Sequence, residues 1–433
     1  MRWNAMQAVS TSLPRRNRPM LSDPPPARVA LVSDYTLDTL GGAEHAFGQA
    51  ALALAEAGHP VLVASPASAR LAKLGAYPGV TAVGTPILGR LPHLQMPVAR
   101  RSRRLVSIMV GLLRRSRTQV VHLHSEFGLA AAAIAAARQL HLPVLQTVHT
   151  FFWQTTLPVQ KALAATAGSL HPALTGLRFP AYQDWRGLAE RPGDAAMRGM
   201  TLSVARRVDR VISPSAHQAG RLRDCGIDHV DVIPNAGPGL PEAAPVDGVE
   251  GPLRVVWIGR LCPEKQILFF LGAVRSAQAE LGPGRIEVEV IGDGDLRGQV
   301  QQLAGSTPGV SVLGPLPREE VIARLAGSHL SAMTSRGWDN QPMTVAESIR
   351  ALRPVLYRDP ALVEGLAGPD GAGIPAFGDQ RAYAAALIDL ARHPERVVAA
   401  SRAALVAREE FSTPTHVQRL RASYRLAQEG PLQ

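Results

Sequence analysis

The most pointed chemistry in this chain comes from Arg260 and Lys265. They lie in LRVVWIGRLCPEK, just past an apolar run, Val255 to Ile258, that ends at Gly259. Arginine presents a planar fork and lysine a point charge, so together they suit a diphosphate. The end of a buried strand, before the next helix begins, is where α/β proteins hold anions. A solvated basic loop has the same composition, so the pair needs company. Asp339 and Glu347 in DNQPMTVAE supply it, one acid in a loop and the other at the start of the helix that follows. Sugar and ribose hydroxyls need such acceptors, and the amides from Asn340 and Gln341 to Thr344 can donate to a ligand resting on the helix end. Glu347 has a competing structural use, because Thr344-Val345-Ala346-Glu347 has the form of a capping box.

Other candidates sit in the first half. Gly41-Gly42 falls at a strand-to-helix turn, where backbone amides can approach a phosphate. Glu44 reads there as a complement to the helix N-terminus. His149 lies just past the C-terminal end of an expected strand, where doubly wound sheets place ligands. Phe151, Phe152 and Trp153 follow it as an apolar wall on the acceptor side. His122 and His124 share a face of one strand but lack a third ligand at sensible spacing, so no metal is expected. Asp293-Gly294-Asp295 is an ordinary turn more readily than a metal site. The chain has no P-loop, no nucleophile elbow and no dinucleotide fingerprint, so nucleotide hydrolysis and dehydrogenation are poor fits.

The elements that must position these groups alternate strand and helix. Val29 to Val32 reads as a buried strand, AEHAFGQAALALAEAG as a helix ending at Gly58, and HPVLVAS as the next strand. VVHLHSEFG, an alanine-rich helix and LPVLQTVHTFFW repeat the step, and a strand, a helix from Ser215 and a further strand close the first half at Pro234-Asn235. Residues 154–200 are rich in small residues and leave open a mobile insertion or acceptor-side helices. The pattern restarts at LRVVWIG and runs through four strands to LSAMTS. Strands alternating with helices mean parallel sheets covered on both faces. The expected fold class is therefore α/β, with two doubly wound Rossmann-like domains facing a central cleft. The expected boundaries are a disordered tail at 1–26, a domain at 27–240, a linker at 241–252 and a second domain at 253–410. A C-terminal helix and tail at 411–433 should cross back to the first domain.

A chain of 433 residues exceeds one core. Lys and Arg number 46 against 35 Asp and Glu, a net charge of +11, so an anionic partner is expected. One basic stretch stands out between residues 97 and 117. Leu105, Ile108, Met109 and Leu112 should share a face, opposite Arg100, Arg103, Arg104, Arg114, Arg115 and Arg117. Such a helix can lie on an anionic bilayer, or pack on a sheet with a solvated basic back. Cys225 and Cys262 form no metal or disulfide framework, which fits a reducing compartment. The N-terminal residues lack the apolar core of a signal peptide, and no run is long enough to span a bilayer. The expected location is the cytoplasm, with the inner face of the cell membrane as a peripheral site.

Taken in order, these pieces resemble the retaining GT-B glycosyltransferases of the large family-four group. The carriers are GGAE at 41–44, ISPSAHQAGRLRDCGIDHVDVIPNAG from Ile212, GRLCPEKQ from Gly259, VIGDGDL from Val290, GPLPREEV from Gly314, and the acids at 339 and 347. The resemblance covers residues 27 to about 410. It implies that Arg260 and Lys265 neutralise a departing UDP or GDP, that Glu347 binds ribose, and that the turn at Leu316 borders the base. It places Asp339 and His149 at the donor sugar and Gly42 at the phosphates. It implies no metal, no covalent cofactor and no nucleic-acid partner. Two positions depart from the pattern: the first acid, usually Glu, is Asp339, and the glycine usual two residues before Pro354 is Leu352. HLHSEFGLAAAAIAAARQLHLPVLQTVHT further resembles the branch that glucosylates diacylglycerol, which tilts the acceptor toward a membrane lipid. A soluble transferase acting on a small molecule or polysaccharide, and a non-catalytic sugar-nucleotide binder, remain the alternatives.

Overall fold

The computed structural model describes residues 26–38, 41–90, 97–151, 157–180, 191–237, 243–337 and 339–430. Its strands in chain order are β1 (Val29–Val32), β2 (Val61–Pro66), β3 (Val80–Thr85), β4 (Gly89–Arg90), β5 (Pro97–Val98), β6 (Val120–Leu123), β7 (Val144–Thr147), β8 (Arg210–Ser213) and β9 (Val230–Val232). The second half contributes β10 (Leu253–Ile258), β11 (Ile286–Ile291), β12 (Val310–Gly314), β13 (Leu330–Met333), β14 (Val355–Tyr357) and β15 (Gly373–Pro375). Seven strands form one sheet in the order β3-β2-β1-β6-β7-β8-β9, and six form another in the order β12-β11-β10-β13-β14-β15. Both sheets are parallel throughout, while β4 and β5 make a small antiparallel ribbon.

The strand sequences explain the layering. Every residue of β1, β2, β6 and β7 is buried, as parallel strands covered on both faces require. Within β1, Ala30 and Val32 face one apolar cluster while Val29 and Leu31 face the other. The strand order reverses between β1 and β6 in the first sheet and between β10 and β13 in the second. Crevices open at such switch points, beyond the carboxyl ends of the strands.

The final helix, Thr413–Gln428, belongs to the second half by sequence and packs on the first. Val417, Leu420, Tyr424 and Ala427 join the cluster that holds Leu31 and Phe47. The Tyr424 hydroxyl meets His122 Nδ1 at 2.9 Å, and Arg421 donates to Ala57 O at 2.9 Å. Within the stretch 154–200 the structure contains two helices, Leu157–Thr175 and Pro192–Ala205, packed through Ala167, Ala195, Ala196 and Met200. Small residues give so weak an apolar stripe that periodicity did not resolve them.

The basic stretch folds as a helix, Arg103–Arg115, capped by Ser102. Its buried residues are Leu105, Val106, Met109 and Leu113, so the face is rotated from the expected one, and Ile108 and Leu112 are only half-buried. The Leu105, Met109, Leu113 series at four-residue spacing follows one helix ridge. All six arginines expected on the opposite side are exposed. Among the described residues no helix is long and apolar enough to cross a membrane.

Leu352 adopts φ +56° and is fully buried. A left-handed backbone costs a non-glycine residue about 1–2 kcal/mol, which explains why glycine is usual here. Leucine offsets that cost by packing with Ile349, Val355 and Phe411. Glycine is indispensable at Gly292, where φ is +141° and an added Cβ would lie 1.8 Å from the Gly259 carbonyl oxygen. At Gly294 a Cβ would lie 2.5 Å from Leu261 O. The two glycines therefore let the Gly259–Leu261 backbone run against the end of β11, where Leu261 N donates to Asp293 O at 2.9 Å. Gly292→Ala should cost more than about 3 kcal/mol, because backbone meets backbone and no side chain can yield. A shift of the urea unfolding midpoint, compared with Gly298→Ala, where an added Cβ meets nothing within 4 Å, checks this.

Candidate active site

The donor half is built at the switch point of the second sheet. Trp257, in β10, donates from Nε1 to Thr334 Oγ1 at 3.0 Å, and Thr334 donates to the Lys265 carbonyl at 2.9 Å. That relay ties the loop after β10 to the loop after β13. It was invisible in the sequence, where Trp257 reads as one more apolar strand residue. Lys265 Nζ lies 2.5 Å from Asp339 Oδ1, and Ser335 donates to the other carboxylate oxygen. Asp339 thus faces the lysine that the sequence assigns to phosphate. The Arg260 side chain is exposed and has no hydrogen bond or ion pair to another described residue. Its charge nonetheless reaches across to Glu44 in the first domain, where it counters the rise in carboxyl pKa that burial causes.

Glu347 belongs to the helix Met343–Arg350, whose N-cap is Pro342 with no side-chain cap. Thr344 therefore lies inside the first turn and the capping-box reading fails. Glu347 Oε1 meets Arg318 Nη2 at 3.1 Å instead, and the carboxyl is 13% exposed against 43% for the arginine. Burial raises its pKa and Arg318 opposes the rise. Arg318 also reaches His45 Nε2 of the first domain at 3.4 Å. Leu316 is half-buried in the turn between β12 and the helix Arg318–Gly327.

The facing half comes from the first sheet. Gly41 is the N-cap and Gly42 the first residue of the helix Gly42–Glu56. A Cβ on Gly42 would lie 3.9 Å from Met343 Cγ, so two helix N-termini point at one gap. The Glu44 carboxylate curls over Gly41, which fits its reading as a complement to the helix end. His149 follows β7, and its Nε2 meets His124 Nδ1 at 2.8 Å.

Two side chains of this loop turn to the first domain. That of Asn340 accepts from Ser215 and donates to the carbonyls of Val148 and His149, at 3.3 and 3.1 Å. Gln341 likewise accepts from Asn235 N at 2.6 Å. Both are interdomain ties, because a loop crossing a cleft must satisfy its polar atoms somewhere. Phe151 is 1% exposed in the first domain's core with Arg198 over its ring, so it is not an acceptor wall. Phe152 and Trp153 lie outside the described residues. His122 is engaged by Tyr424 and Thr147, and Asp293 pairs with Arg297. Among the described residues no group of three or more His, Cys, Asp or Glu is arranged to hold a metal ion.

Burial dominates the electrostatics of the first-domain side. His149 and His45 are pushed down to about 4 and His122 to about 3, so all are neutral at pH 7. Glu126 is pushed up to about 8 by burial, with added repulsion from Asp34 and a partial offset from the Tyr35 hydroxyl at 3.0 Å. Its folded pKa lies above the unfolded 4.5, so the folded state keeps a proton that the unfolded chain releases. The stability this contributes is full below pH 4.5 and is lost as pH rises through about 8. Glu126→Gln removes that dependence while still accepting from Tyr35. The variant should gain melting temperature relative to the wild type between pH 5 and pH 9; a constant difference would refute the assignment.

Residues 40–236 match Glycosyltransferase Family 4. No curated protein sequence matches the chain. Among solved structures, Anabaena HepE in complex with UDP is 15% identical, with a TM-score of 0.63 over 92% of this chain and 99% of that one. The pneumococcal O-GlcNAc transferase GtfA, in complex with UDP and GlcNAc, is 12% identical, with a TM-score of 0.62 over 93% and 100%. Sucrose-phosphate synthase from Thermosynechococcus elongatus is 16% identical, with a TM-score of 0.59 over 92% and 98%. Two parallel doubly wound sheets opposed across such a cleft define the GT-B class. Within it, the match to Glycosyltransferase Family 4 covers the first half of the chain, residues 40–236.

Proposed function

We propose that the chain is a retaining, metal-independent hexosyltransferase that moves a sugar from a nucleoside diphosphate to the hydroxyl of a membrane lipid. The observation that supports this reading is that residues of the two halves meet at one gap: the charge of Arg260 acts on Glu44, a Cβ on Gly42 would lie 3.9 Å from Met343, and Lys265 pairs with Asp339 beside them. Charge growing on the departing diphosphate is met by the two cations and by amides at the facing helix ends, which is electrostatic catalysis. The diphosphate displaces Asp339 from Lys265, and Asp339 then turns to the sugar. Glu347 takes the ribose hydroxyls, with Leu316 at the base. The departing phosphate oxygen accepts the acceptor's proton on the same face, so no side chain is needed as general base. UDP is the first candidate, because HepE is also solved with UDP-glucose, and GDP is the second.

Arg260→Ala should weaken UDP or GDP binding roughly tenfold to hundredfold, the worth of one charge-assisted hydrogen bond. Adding Lys265→Ala should abolish sugar transfer. Calorimetry with both nucleotides and donor turnover on a panel of sugars measure these effects. A wild type that binds nucleotide sugar but turns none over would make the protein a binder.

The lipid acceptor is supported by the exposed arginines of the helix Arg103–Arg115 and by exposed Ile87 and Leu88 just before the ribbon strand β4. A basic surface with apolar tips suits an anionic bilayer interface. Replacing Arg103, Arg104, Arg114 and Arg115 by Gln should lower binding to phosphatidylglycerol vesicles by on the order of a hundredfold or more, at about 1 kcal/mol per charge. Nucleotide affinity should be unchanged. Equal vesicle binding, or full activity without lipid, would assign the enzyme to a soluble acceptor.

A further inference from the structure

Three histidine rings line up beneath the cleft, and their hydrogen bonds fix more than position. His122, in β6, and His124, just past its end, have ring centroids 4.3 Å apart. His124 in turn stacks on His149, with centroids 5.1 Å apart and planes 25° apart, and Phe47 closes its remaining side edge-on at 4.9 Å. His124 is 4% exposed. Its Nδ1 meets His149 Nε2 at 2.8 Å, whereas its Nε2 is buried without a partner among the described residues. One proton is shared along the Nδ1···Nε2 line, so two arrangements compete. If His149 donated from Nε2, His124 would have to carry its own proton on Nε2, an orphaned N–H in an apolar setting. If His124 donates from Nδ1, only a lone pair is left unpaired there. Buried N–H groups without partners are the rarer and costlier case.

We infer that His124 is a positioning residue: it donates from Nδ1, holds His149 in the Nδ1–H tautomer, and so makes His149 a hydrogen-bond donor toward an oxygen of the bound sugar nucleotide. This rests on the proposed placement of His149 at the donor. His149 Nδ1 has no partner among the described residues, and the residue is half-buried, not enclosed. Its carbonyl is gripped from the other domain by Asn340 at 3.1 Å. Backbone and ring are thus anchored independently, leaving one N–H free to act. Burial keeps both rings neutral at pH 7, so each carries a single ring proton and the choice of nitrogen is a real one. The partner of a functional histidine setting its tautomer is a general device.

The ring ¹⁵N shifts of His149 in the ligand-free protein, identified by their loss in His149→Asn, read the tautomer directly. A protonated Nδ1 and a bare Nε2 are expected; the reverse overturns the inference. His124→Asn keeps an amide N–H near the position of Nδ1 and should retain both the tautomer and the transfer rate. His124→Leu removes the donor, and should release the tautomer and lower kcat about tenfold, the worth of one hydrogen bond, with UDP affinity unchanged. Unchanged kcat in a folded Leu variant whose tautomer is released would refute the role in transfer. If Leu does not fold, loss of the tautomer in His124→Asp, whose carboxylate can only accept, supports the inference, and its retention refutes it. A wild type that transfers no sugar would fail the proposed function, while the ¹⁵N shifts would still decide the tautomer.

Discussion

Placing two fixed cations at the carboxyl end of β10 is the constraint on which the rest of the site depends. Like charges held near one another in a partly dry crevice repel, and they stay there only if the backbone beneath them cannot move. Three features supply that rigidity. Gly292 and Gly294 let the Arg260 loop lie directly against the end of β11. The Trp257–Thr334–Lys265 relay ties it to the end of β13. Asp339 neutralises Lys265, while Arg260 stays open at the cleft. The proposed anion site is therefore a property of three loops and one buried indole.

The same logic governs the contact between domains. Asn340 and Gln341 leave the donor loop and tie into the first domain, at Ser215, Val148, His149 and Asn235. The C-terminal helix returns in the opposite sense, with Tyr424 on His122 and His416 on the Pro234 carbonyl at 2.8 Å. Arg318 bridges Glu347 and His45. A ligand that takes Glu347 must compete with Arg318, so binding and the domain contact share one arginine.

The first-domain side differs in kind. Its ionisable groups are buried, and burial drives them neutral: histidines downward, Glu126 upward. Cations on one wall and neutral hydrogen-bonding groups on the other give the cleft a polarity.

By itself the sequence determined the alternation of strands and helices, the parallel sheets, the two glycine turns and the pair Arg260 and Lys265. These are legible because strand burial, helix periodicity and fixed charge are local properties. It also marked Leu352 as an anomaly, and the positive φ there gives the anomaly its physical meaning. What only the tertiary structure decided is where polar side chains spend their hydrogen bonds. Glu347 faced a choice between a cap and an arginine, and the helix starting one residue after Pro342 settled it. The side chains of Asn340 and Gln341 become ties between the domains, and Phe151, expected on the acceptor side, becomes core. Nothing in the sequence showed what Trp257, Thr334, Arg318 and His124 bond to, because their partners lie 77, 69, 29 and 25 residues away. Hydrogen bonds are short-ranged and directional, so a site made of them is not written in spacing; it forms when the sheets close.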